Sequence, residues 1–126
     1  MSAVLVDTSV WRKYFAGFAA VRLLGELLDE PHQVLVHPWV IGELVLGGLS
    51  RREESLLSQL PHAPLVDDDE AIEFIRARSM VRRGIGWVDA NLLASAIVGG
   101  SRIWTLDQKL ASAARSTGAG FEPDAH

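Results

Sequence analysis

Four consecutive apolar residues, Ala3-Val4-Leu5-Val6, run straight into an aspartate, Asp7. An uninterrupted apolar run this short suits a strand covered on both faces, as in a parallel sheet between helices, because a strand with one wet face would alternate. Similar runs recur at residues 33–36 (QVLV) and 102–105 (RIWT) and more weakly at 64–66 (PLV), and 119–121 (AGF) is a candidate edge strand. Between them lie helical patterns at 8–15, 18–29, 38–48, 51–60, 69–82, 87–98 and 107–115, the second with Val21, Leu24, Leu27 and Leu28 on one face. Strands alternating with helices predict an α/β fold of three layers, a small, mainly parallel sheet of four to five strands flanked by helices. No repeat or low-complexity linker divides the 126 residues, so 1–126 reads as one domain.

The composition removes several chemistries. With no cysteine there is no disulfide framework, zinc ribbon or thiol nucleophile, and the histidines (His32, His37, His62, His126) lack paired ligand spacing. They read as structural or surface residues, with His37 the one that could shape a pocket. The missing thiols, and the absence of a basic-then-apolar leader pattern or a membrane-length apolar stretch, point to a soluble, cytoplasmic protein with no membrane partner. Sixteen acids against twelve bases give a net charge of −4, the wrong sign for general attraction to nucleic acid. Any such contact must be local.

Four carboxylates stand in apolar settings. Asp7 falls where the first strand ends and a helix begins, the place where open α/β sheets bind ligands, although Asp7, Thr8 or Ser9 could equally cap that helix. Glu43 is the only formally charged residue in HPWVIGELVLGGLS, whose helix is apolar on almost every side and therefore reads as buried. A carboxylate there needs a partner, a cation, a raised pKa or an escape at the helix edge. Asp89 opens WVDANLLASAIVGG, which carries no further charge until Arg102, and Asp107 in RIWTLDQKL repeats the strand–acid–helix order of Asp7. Helix dipoles and caps account for each of these two singly. Taken together, the ends of the first strand and of the 102–105 strand are expected neighbours. Carboxylates about 4 Å apart repel by roughly 4 kcal/mol at an effective dielectric of 20, so a cluster calls for protons or a divalent cation. Oxygen-only donors favour Mg²⁺ or Mn²⁺ over zinc. The run Asp67–Glu70, with Glu73, reads instead as the solvated, dipole-favoured start of a helix.

VLVDTSVW, WVIGELVLG, WVDANLLASA and WTLDQKL, in this order and spacing, resemble the PIN-domain ribonucleases, most closely the VapC-type toxins of toxin–antitoxin modules. The resemblance implies an acidic pocket that binds Mg²⁺ or Mn²⁺ and hydrolyses RNA endonucleolytically by activated water. It implies Asp7, Glu43, Asp89 and Asp107 as catalytic, metal-holding acids. Thr8, Ser9 and Thr105 would be supporting hydroxyls, and Asn91 stands where some members carry a further acid. It also implies an antitoxin partner lying along a groove between the early helices, a homodimer, and RNA, tRNA or rRNA, as substrate.

Two basic groups lead towards these acids: Arg12 and Lys13 after Asp7, and Arg76, Arg78, Arg82 and Arg83 before Asp89. Arg12, Lys13, Arg82, Arg83 and Trp87 are the candidate RNA contacts, by phosphate pairing and base stacking, although a solvated helix end has the same composition. Trp11, Tyr14, Phe15 and Phe18 form an aromatic group that is core or, where exposed, an interface patch. A haloacid-dehalogenase-type phosphatase would need an aspartate at position 9, where Ser9 stands, and a receiver domain would need paired acids after the first strand. The remaining alternative is a catalytically inactive α/β interaction module whose acids are helix caps.

Overall fold

A computed structural model of the chain describes residues 2–123; His126 lies outside them. Strand β1 (Val4–Val6) leads into helix α1 (Thr8–Phe15), a 3₁₀ turn at Ala19–Val21, α2 (Leu23–Leu28) and β2 (Val34–Leu35). Then come α3 (Pro38–Leu46), α4 (Arg51–Ser58), α5 (Asp68–Ala77), α6 (Trp87–Val98), β3 (Arg102–Trp104) and α7 (Gln108–Ser116).

β1 is central and parallel to both neighbours, in the order β2-β1-β3, with Leu5 opposite Leu35 on one side and Ile103 on the other. Its three residues are fully buried, as the unbroken apolar run requires. The chain goes to one side of β1 for β2 and then crosses to the other for β3. The order therefore reverses at β1, and the crevice beyond the carboxyl ends of β1 and β3 is where Asp7 and Thr105 emerge.

The sheet has three strands where four to five were expected. The 64–66 run forms no strand: pairing on that edge is one bridge, Val36 with His62, made by Val36 N–H to Pro61 O and Ala63 N–H to Val36 O. Pro64 follows at once and has no N–H to extend the ladder. Residues 119–121 likewise give a single bridge, Ile103 with Gly120.

The helices depart from the pattern at their ends. The predicted 18–29 helix divides because Arg22 N–H bonds back to Ala19 O, three residues away, winding the first turn tighter. The 69–82 helix stops at Ala77: Ser79 adopts a left-handed φ of 57° and Met80 N–H closes on Ile75 O, burying the Met80 side chain. α6 is sheathed by the fold from Ala90 to Ala96, which accounts for its uncharged sequence. α3 is not buried all round as expected. Only Val40 and Leu44 are fully buried and Ile41 packs partly on the core, while Trp39, Val45 and Leu46 are exposed, Leu46 by 89%.

Candidate functional site

Asp7 is held rigidly. Its backbone continues the sheet through its N–H to Trp104 O, and its side chain is only 5% exposed. Oδ1 accepts from Ser9 N–H (3.0 Å), Val10 N–H (3.4 Å) and the Ser9 hydroxyl, capping α1, while Oδ2 accepts from the Thr105 hydroxyl across the crevice. Burial raises the carboxyl above its ordinary value, and these donors offset only part of that rise. The capping role and the crevice position thus belong to the same side chain, so the two readings of Asp7 are not exclusive.

The hydroxyls tie the acids together. Ser9 Oγ, besides donating to Asp7, accepts from Leu106 N–H at 3.0 Å, and Thr105 Oγ1 accepts from Asp107 N–H at 3.0 Å. The start of α1 is thereby fastened to the β3–α7 turn. Thr8 Oγ1 donates to Glu43 Oε1 at 2.8 Å, fixing the glutamate of α3 to the start of α1. Asp107 is exposed and caps α7 through Leu110 N–H at 2.9 Å.

Asp89, in the first turn of α6, is half-buried and has no hydrogen-bond or ion-pair partner among the described residues. Its pKa rises from the ordinary 3.8 to about 6, first through burial and then through the charges of Asp7, Asp107 and Glu43. The four acids named from sequence therefore share one electrostatic site.

A divalent hard cation suits this set of oxygen donors and their unbalanced charge. Among the described residues, however, no three Asp, Glu or His side chains converge into a ready metal cage. Mg²⁺ keeps several waters and takes only one or two carboxylates directly, so an open acidic crevice fits it better than a closed cage does.

Other expected site residues lie differently. Asn91 is buried and turned back along its own helix, its amide donating to Trp87 O at 2.9 Å. His37 is a cap: its Nδ1 accepts from Trp39 N–H at 3.1 Å at the start of α3, and burial with nearby His62 keeps the imidazole neutral by lowering its pKa. Lys13 sits over the Phe18 ring, 4.0 Å from its centroid, and Arg12 reaches towards Gly47 at the end of α3. Arg83 bonds to the hydroxyls of Ser112 and Ser116 on α7; Arg82 and Trp87 are exposed. Lys109, which sequence reasoning passed over, lies against Gly84; its only signal was its place two residues after Asp107. Of the aromatic group, Trp11 is core, Tyr14 and Phe15 are partly covered, and Phe18 is half exposed.

The PIN domain family model matches residues 4–116. Ribonuclease VapC32 of Mycobacterium tuberculosis is 43% identical over 118 residues, covering 91% of this chain and 93% of that protein. Two solved structures share the fold. One is a toxin–antitoxin complex from Klebsiella pneumoniae (18% identity, TM-score 0.64, 85% of this chain and 88% of that one). The other is Mycobacterium tuberculosis VapC20, a sarcin–ricin loop cleaving toxin (21% identity, TM-score 0.60, 88% of this chain and 95% of that one).

Proposed function

The chain belongs to the PIN domain family, and on that footing we propose that it is a VapC-type endoribonuclease, the toxin of a toxin–antitoxin pair, acting in the cytoplasm as one domain. The observation that carries this reading is the state of Asp89: a carboxylate without a donor, facing three further acids in the crevice at the sheet's switch point. An arrangement so unfavourable by itself is explained by what it holds in use.

Asp7, Glu43, Asp89 and Asp107 would hold Mg²⁺ or Mn²⁺, some through water. A cation held there would supply positive charge for the phosphodiester and its leaving oxygen and a water of lowered pKa for attack. The chain's own groups keep the site in shape. Ser9 and Thr105 occupy the lone pairs of Asp7 that face the protein and fix its carboxylate plane. Thr8 orients Glu43, and neutral His37 caps the helix that presents it. These hydroxyls act on the acids rather than on RNA, the outer-layer support that metal sites depend on.

The antitoxin would cover the cleft of about 190 Å³ between α1 and the α3–α4 turn, lined by Arg12, Phe15, Leu44 and Leu49. Phe18, just after α1, and Val45 and Leu46, at the end of α3, are exposed apolar residues of the kind that mark protein contacts. A homodimer and a tRNA or rRNA substrate complete the proposal. It is tested by titrating Mn²⁺ calorimetrically into the protein and into Asp7→Asn, Glu43→Gln, Asp89→Asn and Asp107→Asn, while following hydrolysis of a fluorophore–quencher RNA. Binding and hydrolysis should fall together in the variants. Hydrolysis that survives all four substitutions would refute the assignment, and no Mn²⁺ binding by the parent protein would favour an interaction module.

A further inference from the structure

The turn between α5 and α6 carries Arg82 and Arg83 and three left-handed residues, Ser79, Arg82 and Gly84, with φ of 57°, 62° and 76°. Non-glycine residues hold such backbone only where their surroundings fix it. Ser79 belongs to the closure of α5, and the turn beyond it is held against α7 at Arg83 and Gly84. Arg83 Nη1 donates to Ser116 Oγ at 2.8 Å and Nη2 to Ser112 Oγ at 3.4 Å. Lys109 reaches back from the first turn of α7, so that a Cβ on Gly84 would stand 2.9 Å from its Nζ. Lys109, Ser112 and Ser116 are spaced to share one face of a helix. Arg83 and Lys109 therefore meet at one contact between the α5–α6 turn and α7, Lys109 two residues beyond Asp107 and Arg83 six before Asp89.

Two cations thus share the contact between this turn and α7. Among the described residues neither meets a carboxylate. The two serines are neutral acceptors: they aim the guanidinium and leave most of its five donors free. Trp87, 42% exposed at the first position of α6, follows Gly84 by three residues and offers an aromatic face on the same stretch of chain. Cationic side chains and exposed aromatic rings are the elements with which proteins hold single-stranded nucleic acid.

We propose that Arg83 and Lys109 form a phosphate clamp that grips the RNA backbone to one side of the scissile bond, with Trp87 stacking a flanking base. This deepens the ribonuclease reading and rests on it for the identity of the ligand. The acids need positive charge delivered by a cation, whereas the clamp delivers it from the chain. A net-acidic protein thus acquires a local positive edge that orients the strand. Gly84 is part of the device, since any side chain there would displace Lys109 and strain the turn.

The test measures two quantities on the full chain and on Lys109→Gln, Arg83→Gln, Lys109→Arg and the Ser112→Ala/Ser116→Ala double variant. The first is the anisotropy of a labelled single-stranded RNA oligomer in EDTA, where hydrolysis is off; the second is kcat and KM in Mg²⁺. Losing one phosphate contact should weaken binding about fivefold to tenfold and reduce the slope of log affinity against log salt by about 0.7. KM should rise correspondingly at unchanged kcat, Lys109→Arg should restore both, and the double serine variant should fall between. Unchanged affinity and salt slope in both glutamine variants, with hydrolysis intact, would overturn the clamp. A parent that binds RNA and weakens as described yet hydrolyses none would uphold the clamp and refute the ribonuclease reading. Tighter binding of an oligoglutamate peptide than of RNA, lost in the same variants, would reassign the two cations to a protein partner.

Discussion

Replacing Asp89 by Asn should make the metal-free protein more stable. The wild-type carboxyl is shifted from 3.8 to about 6 by burial and by Asp7, Asp107 and Glu43. In the folded state it therefore holds its proton more tightly than in the unfolded state. Its contribution favours folding at low pH and is lost as pH rises from 3.8 through about 6, so at pH 7.5 the charge opposes folding in full. Felt completely, a shift of that size is worth roughly 3 kcal/mol. The side chain is partly exposed and screened by solvent, which reduces this to about 1 kcal/mol. Asn keeps the shape and removes the charge. In EDTA at pH 7.5 the variant should melt about 4 °C higher, and the difference should vanish near pH 4. Saturating Mg²⁺ should reverse the ranking: at a hundred times its dissociation constant a bound ion adds about 2.7 kcal/mol to the wild type, and the variant should gain far less. Urea unfolding at both pH values, with EDTA or Mg²⁺, reads all four conditions. A variant less stable than wild type in EDTA, or one that gains as much from Mg²⁺, would refute the argument that uncompensated charge is stored at this site.

Ser95 Oγ is fully buried in α6 without a hydrogen-bond partner among the described residues, so Ser95→Ala should raise stability by about 1 kcal/mol in a denaturant titration. Thr105→Val removes the donor to Asp7 Oδ2 and the acceptor of Asp107 N–H, and should lower kcat about 10- to 100-fold while leaving the melting temperature within a few degrees. His37 caps α3 only while neutral, because a protonated imidazole has no lone pair for Trp39 N–H. Its folded pKa lies below the ordinary 6.5, so this part of the stability is whole above 6.5 and is lost as pH falls from there through the lowered folded value. His37→Asn, a neutral cap at every pH, should flatten the fall in urea midpoint between pH 7 and 5.

Much of this was legible in the chain because the signals were local. The unbroken AVLV run specified a central parallel strand, and the repeated strand–acid–helix order placed Asp7 and Asp107 at adjacent strand ends. Glu43 and Asp89 stood out as charges in apolar helices, and both reach the shared electrostatic site. Two features escaped because they depend on contacts distant in sequence. The apolar circumference of α3 suggested a buried helix, but hydropathy cannot tell a core neighbour from a protein partner, and the fold covers only one side. Likewise nothing near Lys109 or Arg83 in sequence announces that α7 lies against the α5–α6 turn and joins them. The edge strands failed for a simpler reason. Pro64 lies inside one of the runs, and a proline at that place limits pairing to a single bridge.

The central claim, that the crevice acids and a divalent ion cut RNA together, is tested most directly by incubating purified, antitoxin-free protein with a mixed tRNA and rRNA pool. Mg²⁺ or Mn²⁺ is compared with EDTA, beside Asp7→Asn. Discrete fragments that require both the metal and Asp7 are the predicted result. Fragments that persist in EDTA or in the Asp7→Asn protein, or an intact pool under every condition, would contradict it.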